Sequence, residues 1–184
     1  MPRYAPVATL ALVEEVEIPE GVSVEVDDGV IRVRGPLGTL EKRYHKDVAE
    51  VEVDGRIVRV TVYGRRKFHR AYVKTVAAHV KNMIEGVTKG FEREMIVVFA
   101  HFPMRVEVDG ERRLVVIENF MGEKRPRYAK IVGESTEVEV KGDRVIVRGI
   151  SKEDVGQTVA NIRLATKIRK KDPRVFMDGI YPLD

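Results

Sequence analysis

Valine and isoleucine recur at every second position in four stretches of this chain, with charged residues between them. Residues 24–35 read VEVDDGVIRVRG, 51–60 VEVDGRIVRV, 106–117 VEVDGERRLVVI and 138–149 VEVKGDRVIVRG. A period of two puts alternate side chains on opposite strand faces, giving each stretch one apolar face and one charged face. Each also has a Gly-containing polar turn, and Asp-Gly tolerates the positive φ of tight turns. All four therefore read as antiparallel hairpins with one solvated side. The first and last align without a gap at an offset of 114 residues.

Two segments break that period. From Arg66 to Glu85, the residues Phe68, Tyr72, Val76, Val80 and Met83 fall on one stripe at helical spacing, and Gly86 follows as a C-terminal glycine. From Lys152 to Ile168, a second helix is expected to bury Val155, Val159 and Ile162. Ser151 is its natural N-cap, with Asp154 three residues on. Glu153 and Asp154 suit the positive helix end, and Lys167 and Arg169 the negative end.

Strands followed by a helix occur twice. The expected fold class is α+β: two tandem related domains, each a mostly antiparallel β-sheet structure packed with one α-helix. The expected boundaries are 1–86 and 87–168, followed by a basic and aromatic tail over 169–184, where Pro173 should take the chain out of the helix near Lys171. The apolar run from Val7 to Val13 reads as an opening strand rather than a signal peptide. No window has the length of a membrane-spanning helix.

Charge narrows the partner. The formal net charge is only +4, but it is concentrated. Windows 65–74, 123–130 and 163–174 hold 5, 4 and 6 basic residues against 0, 1 and 1 acidic, while the rest of the chain is net acidic. Such patches mark a polyanion site. In the first window, Lys67, Arg70 and Lys74, with Lys81 beyond it, lie within about 60° of one another on a helix. In the second, Lys124, Arg125, Arg127 and Lys130 surround Tyr128, an aromatic that suits base stacking. The third runs into a tail with Phe176, Met177, Ile180 and Tyr181, too apolar to be simply disordered. Charged residues reach 34% with both signs abundant, a thermophile-like composition that suits ion-pair networks.

Catalytic chemistry is missing from the pattern. There is no cysteine, which excludes disulfides, thiolate metal sites and thiol nucleophiles, and fits a cytoplasmic protein. His45, His69, His79 and His101 do not pair at metal-ligand spacing, and no Walker loop, dinucleotide fingerprint or nucleophile elbow occurs. No enzyme, cofactor, metal, membrane or small-molecule substrate is expected. Gly35-Pro36-Leu37-Gly38 matches the GXXG loop of KH domains, but it joins β-type segments and reads as a tight connection.

Several longer segments are more specific. RGPLGTL (34–40), HVKNMIEGVTKGF (79–91), VFAHFP (98–103), NFMGEK (119–124) and RVFMDGIY (174–181) occur in that order over nearly the whole length. On these the chain resembles the universal large-subunit ribosomal protein L-six family, in its archaeal and eukaryotic form. The resemblance implies a paired α+β fold that binds large-subunit ribosomal RNA and supports its folding and assembly. It also implies a position near the base of the factor-binding stalk and the sarcin–ricin loop, beside neighbouring large-subunit proteins, with RNA contacts mainly in the second domain. With the charge pattern, the expected rRNA-binding residues are Lys124, Arg125, Arg127, Tyr128, Lys130, Lys167, Arg169, Lys170, Lys171, Arg174, Phe176 and Tyr181. Arg66, Lys67, Arg70 and Lys74 form a possible secondary RNA face. The alternative is a protein-interaction adaptor that uses exposed hairpin edges.

Overall fold

The structure, a computed structural model, describes residues 11–64, 66–169, 171–172 and 174–183. The chain divides into two compact units, Met1–Lys89 and Gly90–Asp184. The first contains β1 (Ala11–Glu17), β2 (Ser23–Asp27), β3 (Val30–Gly35), β4 (Gly38–Arg43), β5 (Ala49–Asp54), β6 (Ile57–Tyr63) and α1 (Lys67–Thr88). The second contains β7 (Phe91–Val98), β8 (Arg105–Asp109), β9 (Leu114–Glu118), a 3-10 turn (Phe120–Gly122), β10 (Arg127–Lys130), β11 (Glu137–Lys141), β12 (Arg144–Gly149), α2 (Lys152–Ala165) and β13 (Gly179–Pro182). The fold is α+β, in two tandem copies.

The copies share a strand order. In the first unit the sheets are β1-β6-β5 and β2-β3-β4, antiparallel throughout. In the second they are β10-β9-β8 and β11-β12-β7-β13, again antiparallel. Counted within each unit, the sixth strand pairs with the first and the fifth, and the third with the second and the fourth. The second unit adds β13 on the outer side of β7.

This order corrects the repeat read from the sequence. Residues 24–35 form β2–β3, with Val24 opposite Val33, whereas 138–149 form β11–β12, with Val138 opposite Val147. The first hairpin is built from the second and third strands of its unit and the other from the fifth and sixth of its own, so the two are not equivalent. The true counterpart of 24–35 is β8–β9, with Val106 opposite Ile117, and that of 138–149 is β5–β6, with Val51 opposite Val60. Alternating valines around a glycine turn describe any half-buried hairpin, so sequence similarity matched the wrong pair.

Each unit has its own core. In the first, Ile31, Val33, Val58, Val60 and Val62 of the sheets meet Val73, Val76, Val80 and Val87 of α1. In the second, Met95, Val115, Ile117, Val145 and Val147 meet Val155 and Ile162 of α2, with Phe120 and Ile180. The RGPLGTL segment is a hairpin end resting on α1. Gly35 and Gly38 face each other across β3 and β4, and the Leu37 N–H donates to the Val87 carbonyl at 3.0 Å. A Cβ on Gly35 would lie 2.6 Å from Val87 Cγ2, so a glycine is needed for this approach. The segment does not join two helices, and a KH loop does.

Both helix ends differ from expectation. α1 continues through a buried Gly86 to Thr88; the left-handed residue that follows it is Gly90, at φ +74. Phe68, expected on the buried stripe, is 58% exposed, because the core face is set by Val73, Val76 and Val80 rather than by the first turn. α2 begins as expected, with Ser151 Oγ accepting from the Asp154 N–H at 3.3 Å. It ends at Ala165, earlier than Ile168 or Lys171. Thr166 is buried there and its Oγ1 accepts the Ile180 N–H at 3.1 Å, so docking of β13 stops the helix before Pro173 is reached. Pro173 and Lys170 lie outside the described residues.

Candidate nucleic-acid interface

The segment after β9 is shaped by local backbone geometry. Asn119 and Met121 adopt left-handed conformations, at φ 56 and 53, and Gly122 follows at φ 75. Asn119 Nδ2 donates to the Pro103 carbonyl at 2.9 Å, which fixes the turn. Phe120 is thereby directed into the core, at 2% exposure, while Lys124 and Arg125 lie exposed. The chain then enters β10, where Ala129 faces inward and Tyr128 and Lys130 face out. Tyr128 is 57% exposed.

Arg127 has a different place. It donates to both carboxylate oxygens of Glu123 and, through Nη1, to the Ala165 carbonyl at the end of α2, at 2.8 Å. Its guanidinium also lies 4.2 Å from the centroid of the Phe120 ring. Hydrogen bonding to Arg127 holds the Glu123 carboxyl below its ordinary pKa. One arginine thus ties the 120–126 segment to the end of α2 and brings the second and third basic windows together.

Beyond α2, Lys167, Arg169 and Arg174 are exposed, and the Arg174 N–H donates to Asp172 Oδ1 at 2.9 Å. Lys171 Nζ lies 4.6 Å from the Phe176 ring centroid, and Phe176 stacks on His101 at 5.2 Å. Asp178, 1% exposed, accepts the Ala100 N–H at 2.8 Å and lies 3.5 Å from His101 Nδ1. Tyr181 is on β13, 38% exposed. Between α2 and this returning segment runs a groove of about 670 Å³, floored by Val159, Ala160 and Ile180 and edged by Arg163, Lys167 and Lys171.

The ion pairs sort the cations. On the sheets, Arg32, Arg59 and Arg148 stand directly opposite Glu41, Glu15 and Glu92 and pair with them. Lys124, Arg125, Lys130, Lys167 and Arg169 form no ion pair with any described residue. Arg32, Arg59 and Arg148 are thus neutralised within their sheets, whereas these five are open to an outside anion as far as the described residues go.

The model for ribosomal protein L6 matches residues 18–90 and again 102–179. The chain belongs to the ribosomal protein L6 family. The two L6 matches begin at equivalent places, just after β1 and some residues after β7, as the shared strand order requires. It is 52% identical to the large ribosomal subunit protein uL6 of Methanosarcina mazei, over 90% of this chain and 93% of that protein. It is 50% identical to the protein of the same name from Methanobrevibacter smithii, over 95% and 97% respectively. With that of Staphylothermus marinus it shares 46%, over 93% of each. These relatives are archaeal uL6 proteins. L6 proteins are structural, non-enzymatic components of the ribosome, and this chain is not an enzyme.

Three L6 segments far apart in sequence meet at one end of the second unit. VFAHFP contributes Ala100 and His101, which RVFMDGIY holds through Asp178 and Phe176. NFMGEK holds the same stretch through Asn119 on Pro103. Much of the C-terminal signature is therefore a fastening, with Asp178 and Ile180 buried and Arg174 and Tyr181 left at the surface. His101 is held within this cluster by its stack on Phe176 and its approach to Asp178. The groove edge at Arg163 and Leu164 was missed. Its signal was a second α2 stripe of Gly156, Val159, Ala160, Arg163, Leu164 and Lys167 at helical spacing. Arg66, Lys67, Arg70 and Lys74 lie in the first unit, all exposed, at the start of α1.

Proposed function

We propose that the chain is a structural component of the large subunit of the cytoplasmic ribosome, that it binds large-subunit rRNA, and that its second unit carries the main contact. The observation behind this reading is a cluster of exposed cations in that unit: Lys124, Arg125, Lys130, Lys167 and Arg169 have no carboxylate partner among the described residues, and Arg127 draws their two segments together. Phosphates are the natural counter-ions, and exposed Tyr128 offers a ring to an unpaired base. Lys171, Arg174 and Tyr181 extend the surface along the tail, where Phe176 supports Lys171 from beneath. Lys170 belongs to the same basic run in sequence. Arg127 orders the site rather than meeting phosphate.

The chain's two units, each with its own packed core, suit a scaffold that helps rRNA fold and assemble. The family resemblance supports a place near the stalk base and the sarcin–ricin loop, among neighbouring large-subunit proteins. Footprinting of large-subunit rRNA with and without the protein tests the reading. Protection at a defined set of nucleotides is expected, lost when Lys124, Arg125, Lys167 and Arg169 are changed to Gln. If those four substitutions leave the footprint and the salt dependence of binding unchanged, the second unit is not the contact.

A further inference from the structure

The first unit carries a second surface with the chemistry of a nucleic-acid site. No acidic residue occurs between Asp54 and Glu85, and α1 has none in its first turn. Lys67, Arg70, Lys74 and Lys81 are exposed, and none pairs with a described carboxylate. The Arg66 side chain makes no cap hydrogen bond, so the positive helix end adds to the field of the cations. An ordinary solvated helix intermixes the two signs.

The same helix presents an aromatic shelf. Phe68 is 58% exposed, and Tyr72 stacks against it at 5.7 Å with only 15° between the rings. Tyr72 is itself fixed, since its hydroxyl accepts the His45 N–H at 2.8 Å. His69 meets Phe68 edge-on at 5.7 Å. An exposed phenylalanine is thus held in place from behind with its other face open. At about 100° per residue, the cations line one flank of the exposed side and Phe68 the other. Between them lie Ala71, Thr75 and Ala78, exposed and small. The Thr75 hydroxyl is turned inward, donating to the Ala71 carbonyl at 2.9 Å. A low floor between a row of cations and an aromatic face fits an extended polynucleotide, with phosphates on one side and bases on the other.

We infer that the outer face of α1 binds single-stranded RNA, with Lys67, Arg70 and Lys74 on phosphates and Phe68 stacked on a base. An acidic protein surface would satisfy the cations but would leave the shelf unused, and duplex RNA offers no free base face. This inference does not rest on the second-unit contact, and the two are tested apart.

The test uses the whole chain in a background where Lys124, Arg125, Lys130, Lys167 and Arg169 are already Gln. The probe is a labelled decauridylate, followed by fluorescence anisotropy over a salt series, with a blunt RNA duplex of equal charge beside it. Lys67→Gln, Arg70→Gln and Lys74→Gln together are expected to weaken decauridylate binding tenfold or more. They should also flatten the salt slope by about 2, at roughly 0.7 per phosphate contact on a single strand. Phe68→Ala alone is expected to weaken it about fivefold or more without changing the slope, as loss of stacking does. Far-UV circular dichroism and melting temperature should stay at the background values, since the substituted side chains are exposed. No binding in the background, an unchanged affinity in either variant, or equal affinity for the duplex overturns the inference. Unchanged affinity in both would leave the face to an acidic protein surface.

Discussion

Arg127 holds both carboxylate oxygens of Glu123, at 2.8 and 2.6 Å, and reaches the Ala165 carbonyl across the end of α2 with its remaining nitrogen. Among the cations expected from sequence to meet RNA, Arg127 is engaged inside the unit and joins the 120–126 segment to the end of α2. Charge-assisted, bidentate bonds of this kind are the stronger ones. Arg127→Ala should therefore destabilise the second unit by about 2–3 kcal/mol, through a lost charged hydrogen bond and an abandoned helix-end carbonyl. Urea unfolding measures this. A variant of parental stability with a flattened RNA salt slope would instead make Arg127 a phosphate ligand.

The same pair sets an acid limb. The Glu123 pKa is lowered in the folded chain by hydrogen bonding to Arg127. A depressed carboxyl pKa gives stability that is fully present above the unfolded value and disappears as pH falls through the folded one. Melting temperature should thus fall more steeply below about pH 4.5 in the parent than in Glu123→Gln, and the two curves should converge at low pH. Parallel curves throughout would mean that the pair contributes nothing to stability.

Two glycines should respond oppositely to alanine. At Gly35 a Cβ would lie 2.6 Å from Val87 Cγ2 and 2.9 Å from the Val87 carbonyl oxygen, so the β3–β4 turn would be pushed off α1. A loss of about 1–3 kcal/mol is expected, as for overpacking. Gly156 lies within α2 with nothing near its missing Cβ. Alanine there should add about 0.5–1 kcal/mol by reducing unfolded-chain freedom. Thermal unfolding of the two single variants decides both signs.

Asp178 fastens the returning segment. Its carboxylate, 1% exposed, accepts the Ala100 N–H from 78 residues away. Asp178→Ala leaves that donor without its partner and should cost about 1–3 kcal/mol. Hydrogen exchange should speed up first at Ile180 and at the β7 amides beside it, while β8–β10 stay protected. Uniform acceleration across the unit would mean that the segment has no local stability of its own.

The sequence was legible where a structural element has its own period. Four hairpins and two helices follow from alternation and from helical stripes, and Ser151 caps α2 as its side chain suggests. What failed had tertiary causes. Which hairpin matches which is decided by strand order, and all four hairpins look alike in sequence. The end of α2 meets Ile180 at Thr166, and Phe68 lies ahead of Val73, the first buried residue of α1. The basic windows were visible as charge, but charge alone could not separate Arg127, which is internally engaged, from Lys124 and Arg125, which are open. Only the positions of the carboxylates do that.

The pairing of β13 with β7 also bears on how the protein is made. All strands of the first unit have emerged by Tyr63 and its helix by Thr88, so that unit can close while later residues are still being added. Among the described residues, the second unit uses one strand more. Until Gly179–Pro182 is synthesised, the outer edge of β7 is an unpaired row of backbone groups beside a half-covered α2. A chain lacking that segment would leave this strand edge uncovered. Covering that edge therefore depends on a contact between residues far apart in the chain, which forms only late in the folding of the unit.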